Sequence, residues 1–258
     1  RLDTDDGRFS VWNVAWVARA LVLHPLSVYD ANIFYPRRST LAYSEANLGA
    51  GALAVPAYWA SGGNPYFAHN VVLLLSFVLS QIGMYALVRH LTGRRAAALV
   101  SAVAFAFCPY VFSHLPHIQL LMTAGLPLAL LAMHRFVAEP TAGRTVALGL
   151  TIAAQALFCG YHGVYAALMV TPGIVYFGLT RGRAREWRYW LAASAAGLLS
   201  IAVTVPFFLP YLELQQVGGF ARTLADARQW SATPAGYVAS AAWAHRWLVP
   251  FLPPWGEV

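Results

Sequence analysis

From Tyr66 to Leu209 the chain is a succession of long apolar runs separated by short polar breaks. This feature restricts the fold more than any other. Backbone N–H and C=O groups cannot stay unpaired in hydrocarbon, so runs of this kind enter lipid only as helices or as a closed barrel. The runs are continuous and do not alternate over about ten residues, which argues against the barrel. Composition agrees: of 258 residues, 59% are apolar or aromatic and 10% charged, against about 45–50% and about 25% in soluble domains. A soluble enzyme and a disordered chain are disfavoured on the same ground.

The expected fold class is therefore all-α, a polytopic transmembrane helix bundle of about six spans. The spans are expected near Tyr66–Val88, Ala96–Phe112, Ile118–Met133, Thr145–Phe158, Val164–Leu179 and Trp190–Leu209. The breaks between them alternate in charge. Those around 89–95, 134–144 and 181–188 hold nine arginines, whereas those around 113–117 and 160–163 hold none. The positive-inside rule then puts the arginine-rich breaks in the cytoplasm and the others outside. All 17 basic residues are Arg and nine of them fall in the breaks between apolar runs, so topology explains the formal charge of +7 better than nucleic acid does, and no nucleic-acid partner is expected. Cys108 and Cys159 both lie in apolar runs and read as buried fillers.

Residues 1–65 are different, holding five of the ten acids: Asp3, Asp5, Asp6, Asp30 and Glu45. Phe9, Trp12, Trp16, Ala20 and Leu23 recur at helical spacing with Trp anchors, the pattern of a helix lying in the membrane interface. Leu48–Trp59 is too short to span and contains Pro56. Three regions result: 1–65, an extracytoplasmic loop with two interfacial helices; 66–212, the transmembrane bundle; and 213–258, a further extracytoplasmic segment with Trp230, Trp243, Trp247 and Trp255.

Under this topology the chemically capable residues collect on one face. Asp5 and Asp6 open the first interfacial helix, where they can cap it or serve as a general base or cation ligand. Arg37 and Arg38 can hold a phosphate by bidentate bonds or meet anionic lipid. Glu45 starts the second interfacial helix. His114, His117 and Gln119 share the outer break after the second span, and Tyr161 and His162 the one after the fourth. His69 and Asn70 lie at the outer start of a span and read as capping or packing residues. There is no glycine-rich phosphate loop, zinc-spaced Cys/His set or nucleophile elbow.

Asp6-Gly7 through Trp16, Asp30 to Pro36 and Leu41-Ala42-Tyr43-Ser44-Glu45 resemble the bacterial integral-membrane glycosyltransferases of the GT-C superfamily. The likeness is to the YfhO-like and protein-mannosyltransferase-like proteins. It continues through Asn64-Pro65, Leu75-Ser76-Phe77, Gly83-Met84-Tyr85, Ala104 to Phe107, His117 to Leu120, Gly160-Tyr161 and Tyr211-Leu212. The resemblance implies a sugar donor on a polyprenyl phosphate and a catalytic carboxylate in the first outer loop, after a first transmembrane helix. Asp6 is matched to that carboxylate, with Asp5 its neighbouring rival. Some relatives bind a divalent cation, Mg or Mn, through acids in the second outer loop; here that loop has His114 and His117 and no acid.

The expectation is thus an inverting glycosyltransferase of a bacterial inner membrane, with Asp6 as base and the site facing outward. Substrate and phosphate contacts are expected from Arg37, Arg38, Glu45, His117, Gln119, Tyr161, His162 and Arg222. A cation, if used, has Asp6, His114 and His117 as its candidate ligands. The partners are the lipid-linked donor, membrane lipid, and a glycan, lipid or protein acceptor. A transporter and a non-catalytic scaffold are the alternatives. Because the chain opens on Arg1 and closes after Pro253-Pro254-Trp255-Gly256, it is expected to be a piece lacking the first transmembrane helix and the C-terminal part, and not necessarily active alone.

Overall fold

The computed structural model describes residues 5–218, 223–229, 231, 233 and 234. These residues form helices α1 (Asp5–Leu23), α2 (Leu48–Ala60), α3 (Pro65–Thr92), α4 (Arg95–Ala106), α5 (Pro109–Ser113), α6 (Ile118–Leu121), α7 (Gly125–Ala138), α8 (Ala142–Phe158), α9 (Gly160–Thr180), α10 (Trp187–Gly218) and α11 (Leu224–Gln229). No strand occurs among the described residues. The chain divides into two compact units, Arg1–Leu212 and Glu213–Val258.

Among the described residues five helical stretches are long and apolar enough to cross a membrane: Pro65–Thr92, Arg95–Ser113, Ile118–Ala138, Gly160–Thr180 and Trp187–Gln216. The remaining expected span, α8, has 17 residues. At about 1.5 Å per residue it covers roughly 25 Å, just under the roughly 30 Å hydrocarbon core. Large apolar side chains point outward along these helices, among them Leu74, Val78 and Ile82 of α3 and Leu198, Ile201 and Val205 of α10. In water such surfaces would be a liability; in a bilayer they are the face that lipid wets.

Two spans expected to be continuous are broken. Pro109 has no N–H to give and holds Cys108 in an extended conformation (φ −70°, ψ 156°), so α4 stops before α5. Residues 122–124 separate α6 from α7, and there the Thr123 hydroxyl bonds the Ser80 hydroxyl of α3 at 2.9 Å. Other ends follow ordinary capping rules. The Asn64 side chain accepts the Phe67 N–H, with Pro65 in the first turn. Gly93 closes α3 in the left-handed region at φ 69°.

Helix contacts inside the bundle rest on small residues, as expected where lipid leaves close packing to hold helices together. Ala50, Ala54 and Ala68 meet Val14, Ala18 and Ile118 between α1, α2, α3 and α6. Ala129, Ala166 and Ala196 surround Phe136, Leu148 and Tyr189 between α7, α8, α9 and α10. At the arginine-rich end, Arg181 and Arg183 donate to the carbonyls of Val137 and Ala138. Arg144 donates to those of Arg135 and Glu139 and pairs with the Glu139 carboxylate at 2.9 Å. Cations thus satisfy the open carbonyls at the negative end of α7.

In the second unit, α11 begins with a reciprocal cap. The Asp226 carboxylate accepts from Thr223 N–H and hydroxyl, and the Thr223 hydroxyl accepts the Asp226 N–H.

Candidate functional site

The site is assembled on one face of α1. Asp6, Ser10 and Asn13 are spaced by four and three residues, so they stack along one side of the helix over about 10 Å. Each reaches a different part of the chain. Asp6 lies 3.5 Å from His117 Nε2, in the break between α5 and α6. The Ser10 hydroxyl lies 3.3 Å from His69 Nε2 of α3. Asn13 Nδ2 donates to the Glu45 carbonyl at 2.9 Å. Ser10, Asn13 and His69 are all buried.

The aromatic stripe that dominates the α1 sequence takes the other side. Phe9 and Leu23 are exposed, and Trp12 and Trp16 half-buried, while Ala20 alone of that set is buried. Ser10 and Asn13 were not expected in the site. Their spacing from Asp6 is the signal that reveals them.

The loop between α1 and α2 brings Glu45 to the opposite wall. Its carboxylate Oε1 accepts the Gly160 N–H at 2.9 Å, at the positive end of α9. Burial pushes the Glu45 carboxyl above the ordinary glutamate value, and the Gly160 N–H only partly offsets this. The Tyr29 phenol is raised as well, by burial and then by the Glu45 charge. The Tyr211 hydroxyl accepts from Ala46 N–H at 2.9 Å and donates to the Ser44 carbonyl at 3.1 Å. Tyr29 donates to the Phe207 carbonyl at 2.5 Å. The same loop carries three non-glycine residues at positive φ, Phe34 (58°), Ser39 (54°) and Asn47 (52°). Such conformations cost of order 1–3 kcal/mol each and gather at functional segments.

Of the residues proposed from sequence, Asp6 and His117 are therefore brought together, and Glu45 meets the helix that begins with Gly160, Tyr161 and His162. Tyr161 is exposed, whereas His162 is buried within the first turn of α9; that outer break is reduced to Cys159. Asp5 is exposed and Gln119 half-buried. Arg37 and Arg38 are exposed, and no hydrogen bond or ion pair joins them to the other candidates among the described residues. Arg222 lies outside the described residues, as do Trp230, Trp243, Trp247 and Trp255.

The Asp6–His117 pair is loose. Its 3.5 Å separation exceeds the 2.7–2.9 Å of a tight charge-assisted bond, and the side chains are 71% and 40% exposed. An exposed pair of this kind contributes about 0–1 kcal/mol to stability. Its importance is positional: it leaves a carboxylate and an imidazole side by side and open to a ligand. Metal ligation fits less well. His114 Nδ1 is engaged by the Tyr110 carbonyl and the Ser113 hydroxyl, and its ring is 6.4 Å from that of His117. Among the described residues no group of three His, Cys, Asp or Glu side chains could hold an ion.

A second feature lies within the bundle. A cavity of about 510 Å³ lies between α3, α7 and α8, roofed by Leu53 of α2, with Leu79, Ile82, Leu128, Leu150 and Phe158 in its walls. Gln155 and Met122 also line it, joined by a 2.8 Å bond from Gln155 Nε2 to the Met122 carbonyl.

A family model described as dolichyl-phosphate-mannose-protein mannosyltransferase matches residues 60–211, more than half of the chain. The chain belongs to this family. The match covers His114, His117, Gln119, Tyr161, His162 and the walls of the bundle; Asp5, Asp6, Arg37, Arg38 and Glu45 precede it. No curated protein and no solved structure matches. With its apolar helices, membership in the mannosyltransferase family makes this a multi-pass membrane protein of the GT-C glycosyltransferase type.

Proposed function

We propose that the chain carries the donor site and the base of a glycosyltransferase that moves a sugar from a polyprenyl phosphate to an acceptor hydroxyl, with inversion, at the extracytoplasmic face of a bacterial inner membrane. The observation that carries this reading is the juxtaposition of Asp6 and His117 at the arginine-poor end of the bundle. Asp6 takes the proton of the acceptor hydroxyl. The acceptor oxygen bonds to the anomeric carbon as the bond from that carbon to the phosphate oxygen breaks, and the electron pair leaves with the polyprenyl phosphate. That anion needs donors to receive it, not a proton. His117 is placed to be one. Arg37 and Arg38, on the adjacent loop, are the arginines offered for the same role.

The 510 Å³ cavity supports the donor assignment. An isoprenoid chain gains about 0.8 kcal/mol for each CH₂ removed from water, and aliphatic walls inside the bundle are where such a chain would lie. The test is turnover in proteoliposomes with a panel of polyprenyl-phosphate sugars, comparing the unaltered protein with Asp6→Asn and Asp5→Asn. Loss of at least 10²-fold in Asp6→Asn, the scale of general-base catalysis, is expected, with a smaller effect in Asp5→Asn. Full turnover in both variants refutes the carboxylate base. Labelling from the outside that reaches 181–188 and spares 113–117 refutes the assigned face.

A further inference from the structure

A second groove, of about 340 Å³, runs along α1 on the side away from Asp6, Ser10 and Asn13. Arg8, Trp12, Trp16 and Arg19 form its floor at spacings of four, four and three residues, a single stripe of the helix. Tyr58, Tyr66 and Asn32 form the facing wall. Arg8 and Arg19 are eleven residues apart, so the guanidinium-bearing positions stand about 16 Å apart along the helix axis. Among the described residues no acid lines the groove.

The indoles are held in place by their own hydrogen bonds. Trp12 Nε1 donates to Asn32 Oδ1 at 3.1 Å, and Trp16 Nε1 to the Val28 carbonyl at 2.8 Å. Both rings are half-buried, and Trp12 also packs on Phe9 with centroids 5.4 Å apart, so a ligand meets the parts of the indoles left exposed along the groove. Aromatic surfaces suit the C–H faces of sugar rings, and guanidiniums at both ends suit carboxylate or phosphate groups. The contrast with the apolar cavity decides between a saccharide and a lipid. The cavity is walled by Leu, Ile, Met and Phe; the groove contains none of these.

We propose that this groove binds an acidic oligosaccharide, and that this saccharide is the acceptor of the transfer reaction. The second half of the statement rests on the function proposed above. The groove ends at the first turn of α1. Asp5 falls within about 40° of the groove's stripe at 100° per residue, whereas Asp6 lies more than about 100° round the helix from it. An acceptor lying along α1 would so bring its terminal hydroxyl to Asp5, and reaches Asp6 only by passing round the first turn of the helix.

The test is binding of tetragalacturonate to the full chain in phosphatidylcholine nanodiscs, measured by calorimetry, with neutral maltotetraose as the comparison. Tetragalacturonate is expected to bind more tightly than maltotetraose and to weaken with added salt. Arg19→Gln should weaken tetragalacturonate about tenfold and leave maltotetraose unchanged. Tyr66→Ala should weaken both. Failure of tetragalacturonate to bind, or equal binding by the unaltered protein and both variants, overturns the proposal. So does retention of phosphatidylglycerol in native mass spectra that is lost in Arg19→Gln and is not displaced by the saccharide, which would make the groove a lipid-headgroup site. Arginine-dependent binding alongside full turnover in the Asp5 and Asp6 variants would refute the carboxylate base and leave the groove standing. Absent binding with lost turnover would do the reverse.

Discussion

His117 Nε2 stands 3.5 Å from the Asp6 carboxylate, joining the first turn of α1 to the break between α5 and α6 across 111 residues of sequence. The pair is too exposed to matter much for stability, so replacing His117 should separate chemistry from folding. His117→Ala is expected to lower kcat by about 10², the cost of removing one donor from a developing anion, with little change in melting temperature. His117→Gln keeps an N–H donor and should recover part of the loss. A variant that melts early, or turns over normally, would show His117 to be structural or idle.

Glu45 gives a pH prediction with a definite sign. Burial raises its carboxyl above the ordinary value, so the folded state favours the protonated form. Its contribution to stability is fully present below the unfolded value of about 4.3 and is lost as pH rises through the higher folded value. Glu45→Gln retains an acceptor for the Gly160 N–H and cannot ionise. The melting temperature of the unaltered protein minus that of Glu45→Gln should therefore fall as the pH rises above about 4. A flat difference would contradict the buried carboxyl. Glu45→Ala leaves the Gly160 N–H without its acceptor and should cost about 1 kcal/mol or more at either end.

The helices were legible because lipid imposes a crude and strong pattern, long apolar runs closed by Arg, Gly or Pro. The site was legible only in part. Asp6, His117, Glu45 and Tyr161 stand out as polar residues at the ends of apolar runs. Ser10 and Asn13 do not, because the Trp12 and Trp16 periodicity reads as the packed face of α1, whereas the packed face uses Val14, Ala18 and two small polar side chains. The ties from Tyr29 to Phe207 and from Tyr211 to Ala46 join segments more than 160 residues apart. Nothing in local spacing announces such contacts. Breaks at Cys108 and at 122–124 were hidden inside apolar runs whose hydropathy does not change.

Gly163 tests how closely α8 and α9 must approach. A Cβ there would lie 2.5 Å from Ala156 Cα, and backbone cannot turn aside as a flexible side chain can. Gly163→Ala should force the two helices apart at about 1–3 kcal/mol and draw Gly160 away from Glu45. Gly197, with open space around the same position, is the comparison: Gly197→Ala should gain about 0.5–1 kcal/mol from helix preference alone. Thermal melts in one detergent check both. Equal shifts in the two variants would mean that the α8–α9 contact is looser than described.

If the apolar cavity holds the donor's lipid tail as proposed, tail recognition and chemistry can be separated there. Ala154 of α8 lines it, distant in sequence from the Asp6–His117 pair, and Ala154→Phe would fill part of the space an isoprenoid chain needs. Losing burial of about two methylenes costs roughly 1.6 kcal/mol, or somewhat more than tenfold in affinity. Because those contacts are made equally in the ground and transition states, the loss should fall on KM and spare kcat. If the cavity holds the tail, the penalty should grow with the length of the donor chain, and a donor cut to two isoprene units should be affected least. If Ala154→Phe instead lowers kcat for long and short donors alike, the cavity does not hold the lipid tail, and the donor must approach the site from outside the bundle.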